Sequence, residues 1–219
     1  MPIKNGNNGI GEVRYGNNVI GEIYFGNNLV YSSNKVIDLG TNTTFNVSSV
    51  YPGYANLTAD NFFLSVTGTV SMSESADKAF AADGFDKSYD ASTGTLTMRT
   101  WVKSQNNVKT YGSVHAYLVT KPSKLISLGT KQSFDVTLKG NYRNYTADNF
   151  LIKSMSYYAD DYFGVVNSPG NYTISAKLYK KYNSTSGILT AYFYGQLTTQ
   201  NGDREGKNNV TVYLIPGGL

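Results

Sequence analysis

The chain has 219 residues, 40% hydrophobic and 16% charged, with a formal net charge of +4, no cysteine and one histidine. Lack of cysteine excludes a disulfide framework and thiolate metal sites, and a lone histidine inside a strand-like run gives no expectation of the common catalytic triads or histidine-bearing zinc motifs. No stretch approaches the roughly 20 apolar residues of a membrane-spanning helix, no apolar secretory run follows Met1, and the basic residues make no dense face or motif of a nucleic-acid binder.

Residues 6–31 repeat with a period of ten, as GNNGIGEVRY, GNNVIGEIYF and GNNLVY. Gly-Asn-Asn supplies residues that tolerate the positive φ of tight hairpin turns, and the residues between these triplets alternate. Gly11, Val13 and Tyr15 share one face, as do Gly21, Ile23 and Phe25. The pattern predicts a β meander over residues 1–34. So small a sheet has little core of its own and must pack on something. Ile10, Val13, Tyr15, Ile20, Ile23 and Phe25 are therefore candidate attachment residues, docking on the rest of the chain or on another subunit.

Residues 31–34 form a polar joint, after which one unit occurs twice. KVIDLGTNTTFNV and NLTADNFFL, within residues 35–64, return as KLISLGTKQSFDV and NYTADNFLI within residues 124–152, at offsets of 89 and 88 residues. YDASTGTLTMRTW returns as YNSTSGILTAYFY, setting Trp101 against Tyr194, and VHAYLV returns as VTVYLI. In the first copy, strands are predicted at residues 36–39, 44–48, 62–72, 95–103 and 111–119, each bounded by Gly, Asn, Ser or Asp clusters. His115 falls in the last of these and reads as a sheet residue. Short strands without a helix predict an all-β chain: the meander at 1–34, then two tandem immunoglobulin-like β-sandwich modules at 35–121 and 122–219. Lys121-Pro122-Ser123 is a stiff linker between them.

The repeated Thr-Ala-Asp-Asn-Phe reads as a capped turn entering a strand, with the Thr or Asp side chain as cap. A calcium site using Asp60 and Asn61, or Asp148 and Asn149, is the competing reading, and no carboxylate cluster of EF-hand spacing accompanies it. Asp83, Asp86, Asp160 and Asp161 are available for glycoside chemistry but lie in stretches that read as surface loops. The glycines mark turns and cradle no phosphate. No catalytic residue, metal or cofactor is expected. Residues 124–219 hold ten basic against six acidic side chains and 11 of the 19 tyrosines. Tyrosine stacks on sugars and anchors interfaces at little entropic cost; it is also a good strand former. The run SYYADDYFG makes Tyr157, Tyr158 and Tyr162, with Lys180 and Lys181, the candidate surface or glycan contacts.

The N-terminal GNNVIGEIYFGNNLVY, followed by KVIDLGTNTTFNV, NLTADNFFL, YDASTGTLT and VHAYLV, resembles virion structural proteins encoded by phages and prophages of lactic acid bacteria and other Firmicutes. Such proteins often open with an IYxGxxxIxxIYxGxxLVY-like run and continue into small β modules. The resemblance covers essentially the whole chain, and its motifs match no enzyme's active site. It implies a non-enzymatic virion protein at the tail tip, baseplate or a fibre, or else a head decoration or head fibre, assembled in the host cytoplasm. Other virion proteins, met through residues 1–34, are the implied partners, with host wall polysaccharide as a candidate ligand and a homo-oligomer, trimeric in a fibre, as the assembly. A stand-alone carbohydrate-binding module and an architectural spacer are the competing readings.

Overall fold

The computed structural model describes residues 35–104, 106–156, 164–167 and 169–215 in full and, between residues 4 and 32, the backbone of short strands. Every regular element among them is a β-strand or a single turn of 3-10 helix, so the all-β expectation holds. β1 (Lys4–Asn5) pairs with β2 (Asn8–Gly9), β3 (Val13–Tyr15) with β4 (Asn18–Ile20), and β5 (Glu22–Phe25) with β6 (Asn28–Ser32). Asn5 faces Asn8, Tyr15 faces Asn18 and Phe25 faces Asn28, so all three hairpins turn at the same point of the ten-residue repeat. Among the described residues each hairpin is a two-stranded sheet of its own, where the sequence predicts one meander.

The first repeat supplies β7 (Val36–Asn42), β8 (Thr44–Asn46), β9 (Phe62–Thr67), β10 (Val70–Ala76), β11 (Ala79–Asp90), β12 (Thr95–Lys103), β13 (Lys109–Gly112) and β14 (Val114–Val119). The second supplies β15 (Ile126–Lys131), β16 (Ser133–Asp135), β17 (Phe150–Met155), β18 (Gly164–Val166), β19 (Gly170–Asn183), β20 (Ile188–Thr199) and β21 (Gly202–Leu214). β11 corrects the sequence reading, which takes Asp83 and Asp86 for loop residues. Ala, Gly and Asp are poor strand formers, and here the propensity is overridden by burial: Ala79, Ala81, Ala82, Asp83 and Phe85 are all buried. The turns joining β11 to β12 and β19 to β20 match, with Gly94 at φ +69° and Gly187 at φ +68°, a backbone state that glycine adopts without steric cost.

Six antiparallel strands run side by side in the order β7, β14, β9, β17, β21, β15, three from each repeat. Two smaller layers flank them. One has the order β13, β12, β11, β18, with β8 on β12. The other has the order β10, β19, β20, β21, with β16 on β20, and is continuous with the six-stranded sheet through the long β21. Each flanking layer thus contains a strand from the other repeat: β10 of the first pairs with β19 from Val70↔Ala176 to Ala76↔Gly170, and β18 of the second pairs with β11 from Ala79↔Val166 to Ala81↔Gly164.

The two repeats are therefore not two self-contained immunoglobulin-like sandwiches on a stiff linker, because they exchange strands and share one core. Phe45, Phe62, Leu96 and Met98 lie in the same buried cluster as Phe134, Phe150, Leu189 and Phe193. A duplication reveals equivalent strands, but which edge each strand completes is a non-local choice that repeat similarity does not encode. A second, smaller cluster of Phe63, Val119, Leu125, Leu151 and Ile215 packs on the opposite face of the central sheet, as strand alternation requires. Leu125, two residues past the expected linker, is buried there. Residues 122–124 form a single turn of 3-10 helix.

Candidate functional site

Alternation along β19 sends Tyr172, Ile174, Ala176 and Leu178 into the core and leaves Lys177, Tyr179 and Lys181 on the outer face. Cross-strand register then brings Tyr179 beside Tyr192, and Tyr194 between Lys177 and Lys207. The Tyr179 and Tyr192 rings stack at 4.8 Å and 17°, and Tyr194 meets Tyr192 edge-on at 6.4 Å. Lys207 Nζ lies 5.4 Å from the Tyr192 ring. The Tyr194 hydroxyl donates to Glu205, and that bond, with burial second, pushes the phenol up to about 12. The result is a half-exposed aromatic strip edged by ammonium groups, a surface suited to stacking on sugar rings and pairing with anionic substituents.

The equivalent face of the first repeat is closed. Trp101 lies flat over Gly84, where an added Cβ would come within 2.1 Å of the indole. Its Nε1 donates to Asp86 Oδ1 at 2.9 Å, Lys109 Nζ sits 4.0 Å from its ring, and Arg99 covers Tyr111 at 3.6 Å. Asp86 lies on this outer face, whereas Asp83 points into the core on the other side of β11, so the two do not form a carboxylate pair. Burial pushes Asp83 up to about 7; its Oδ1 accepts a bond of 3.1 Å from Asn208, and its Oδ2 has no partner.

The two Thr-Ala-Asp-Asn-Phe motifs are capping boxes. Thr58 N donates to Asn61 Oδ1 at 2.9 Å, and Asp60 N donates to Thr58 Oγ1 at 3.3 Å; the second copy repeats this with Thr146, Asp148 and Asn149 at 2.8 and 3.3 Å. Asn61 also donates to Val119 O at 3.0 Å and Asn149 to Ile215 O at 3.4 Å, tying each corner to the closing strand of its repeat. The Thr and Asn side chains of the motif thus serve the backbone, and the Asp takes part in the box through its N–H. Among the described residues no group of His and carboxylates is arranged to hold a metal ion.

Behind each corner stands an enclosed lysine. Lys87 Nζ donates to Phe62 O at 3.2 Å and Lys153 O at 3.0 Å, and Lys180 Nζ donates to Phe150 O at 3.0 Å. Burial lowers both ammonium groups to about 8. Lys180 is therefore not the surface contact that the sequence reading makes it; it shares the inward parity of Ala176 and Leu178, while Lys181 is exposed. His115, as expected, is a sheet residue, with Nδ1 3.0 Å from Thr41 Oγ1 and Nε2 2.8 Å from Asp38 Oδ1.

Tyr157, Tyr158 and Tyr162 lie outside the described residues, as do Asp160, Asp161 and Ile10. Val13 and Tyr15 fall in β3, Ile20 in β4, and Ile23 and Phe25 in β5. The tyrosine strip was open to sequence reasoning only in part: period-two parity places Tyr179, Tyr192 and Tyr194 outward, but their adjacency depends on the β19–β20 register.

No family model, curated protein or solved structure matches the chain.

Proposed function

We propose that the chain is a non-enzymatic structural protein of a phage virion, a component of the tail tip, baseplate or a fibre, attached through residues 1–34 and presenting its β domain outward. The observation that carries this reading is the array of three hairpins in ten-residue register, in the stretch whose sequence resembles the N-termini of such virion proteins. Two-stranded ladders this short are marginal alone in water and gain from a surface on which to pair. The outward tyrosine strip supports the second half of the reading, contact with host wall polysaccharide, with Lys177, Lys181 and Lys207 for anionic substituents. The same strip favours one alternative, a carbohydrate-binding module that works apart from any particle.

Labelled protein is incubated with cells of the candidate host and with the same cells stripped of wall polysaccharide, and separately with particles. Saturable binding lost on stripping, together with particle association lost on deleting residues 1–34, is the expected outcome. Particle association unchanged by the deletion overturns the attachment role, and cell binding without particle association turns the assignment to the stand-alone module.

A further inference from the structure

The two Thr-Ala-Asp-Asn corners differ in one side chain. At the first, Lys153 reaches from a bulge in β17 to set Nζ 3.0 Å from Asp60 Oδ1 and 5.7 Å from the Tyr213 ring. The contact holds the Asp60 carboxyl below the usual carboxylate range. At the second corner, Asp148 stands for Asp60, Tyr117 for Tyr213, and Thr146 and Asn149 for Thr58 and Asn61. Ser65, at the matching bulge in β9, stands for Lys153. The shorter side chain leaves a solvent-open cavity lined by Ser65, His115, Tyr117, Thr146, Asp148 and Asn149.

Charge follows the same asymmetry. The first corner holds Asp60 against two ammonium groups, Lys87 and Lys153, whereas at the second Asp148 acts on the ammonium of Lys180. Among the described residues no side chain forms an ion pair with Asp148, and the Lys180 ammonium is turned to the Phe150 carbonyl. Asp38, where the other repeat has Ser127, adds a second carboxylate near the cavity. It contacts His115, and after burial the charges of Asp38 and Asp148 are what push the Tyr117 hydroxyl up. The second corner thus repeats a lysine-binding constellation and lacks the lysine.

We propose that this cavity receives the ε-ammonium of a lysine side chain from another protein molecule, with Asp148 taking the charge and the Tyr117 ring flanking the alkyl stem. The chain itself displays the ligand that this constellation binds, at its twin. The inference does not depend on the virion reading.

The probe is n-butylammonium, titrated into the full-length chain and followed by NMR at Tyr117 and His115. The pair it forms is partly exposed, so saturation is expected with a dissociation constant on the order of 10 mM, weakened by salt. Asp148→Asn, at an exposed position, is expected to weaken binding about two- to fivefold, and Lys153→Ser to open the twin site and add a second saturating set of shifts at Tyr213. n-Butanol and sodium ions are expected to leave Tyr117 unmoved. Binding left unweakened by Asp148→Asn, or absence of any shift with n-butylammonium, overturns the proposal. Glucosamine binding more tightly than n-butylammonium overturns the lysine assignment in favour of an amino sugar.

Discussion

Leu64 of β9 pairs with Ile152 of β17, and the two occupy the same place in their respective repeats. A residue meets its own counterpart in an antiparallel pair only across a two-fold axis, so the duplicated halves are arranged like the subunits of an isologous dimer. The reciprocal exchange of β10 and β18 completes the likeness to a strand-swapped dimer joined into one chain.

Neither half is therefore expected to fold as a monomer. Residues 35–121 alone leave β10 without β19, β11 without β18, and Phe62 and Leu64 without their half of the core. Gel filtration and circular dichroism are expected to show an unfolded or self-associated fragment, with a cooperative thermal transition restored on mixing with residues 122–219. A monomeric fragment that melts cooperatively by itself contradicts the shared core.

Asp83 makes stability depend on pH. Its folded pKa of about 7 lies above the ordinary 3.8, so the folded state holds a proton that the unfolded state has released. The resulting stabilisation is complete below about pH 4 and lost as pH rises through 7, an upper bound of roughly 4 kcal/mol. Urea midpoints are expected to fall from pH 5 to pH 8, and Asp83→Asn, which removes the ionisation and retains an acceptor for Asn208, is expected to flatten the fall and to be the more stable protein at pH 8.

The contrast between Asp83 and the capping boxes shows what was legible beforehand. Thr58 and Thr146 act on residues two or three positions away, so their role is written locally and reads correctly from sequence. Asp83 sits in a run of weak strand formers that becomes β11 only because β12 and β18 lie on either side, and those partners come from different repeats. Lys180 stands between. Its parity with Ala176 and Leu178 is visible in YTISAKLYKKYN and marks it as inward, but the basic composition of the stretch points the other way. Cross-strand register decides the tyrosine strip and the empty corner, and no local pattern carries it.

Lys87 and Lys180 impose the opposite slope at higher pH. Both are lowered to about 8 by burial, so between pH 8 and 10.5 the unfolded chain binds more protons and stability rises with pH. Raising the pH from 7.5 to 9.5 is expected to increase the urea midpoint of the wild type. Replacing both lysines with Met is expected to remove that increase, whatever its effect on the midpoint at pH 7.5, where the carbonyls of Phe62, Phe150 and Lys153 lose their donors. A rise of equal size in the double variant means that other groups set the slope.

Gly84 is required by Trp101. The two are paired across β11 and β12, and the indole occupies the space that a Cβ would fill, at 2.1 Å from Cζ2 and 2.3 Å from Cε2. Gly84→Ala must lift the ring off the sheet, which breaks the bond from Nε1 to Asp86 and parts the indole from the Lys109 ammonium. Overpacking of this kind costs roughly 1–3 kcal/mol. Trp101 is the only tryptophan in the chain and is 8% exposed, so its emission reports the event directly. A red-shifted spectrum and a lowered melting temperature are expected together, whereas Ala at Gly129, where nothing lies within 4 Å but φ is +83°, is expected to lower stability through backbone strain alone and leave the emission unchanged. If Gly84→Ala keeps the wild-type spectrum and stability, the indole does not lie over the glycine.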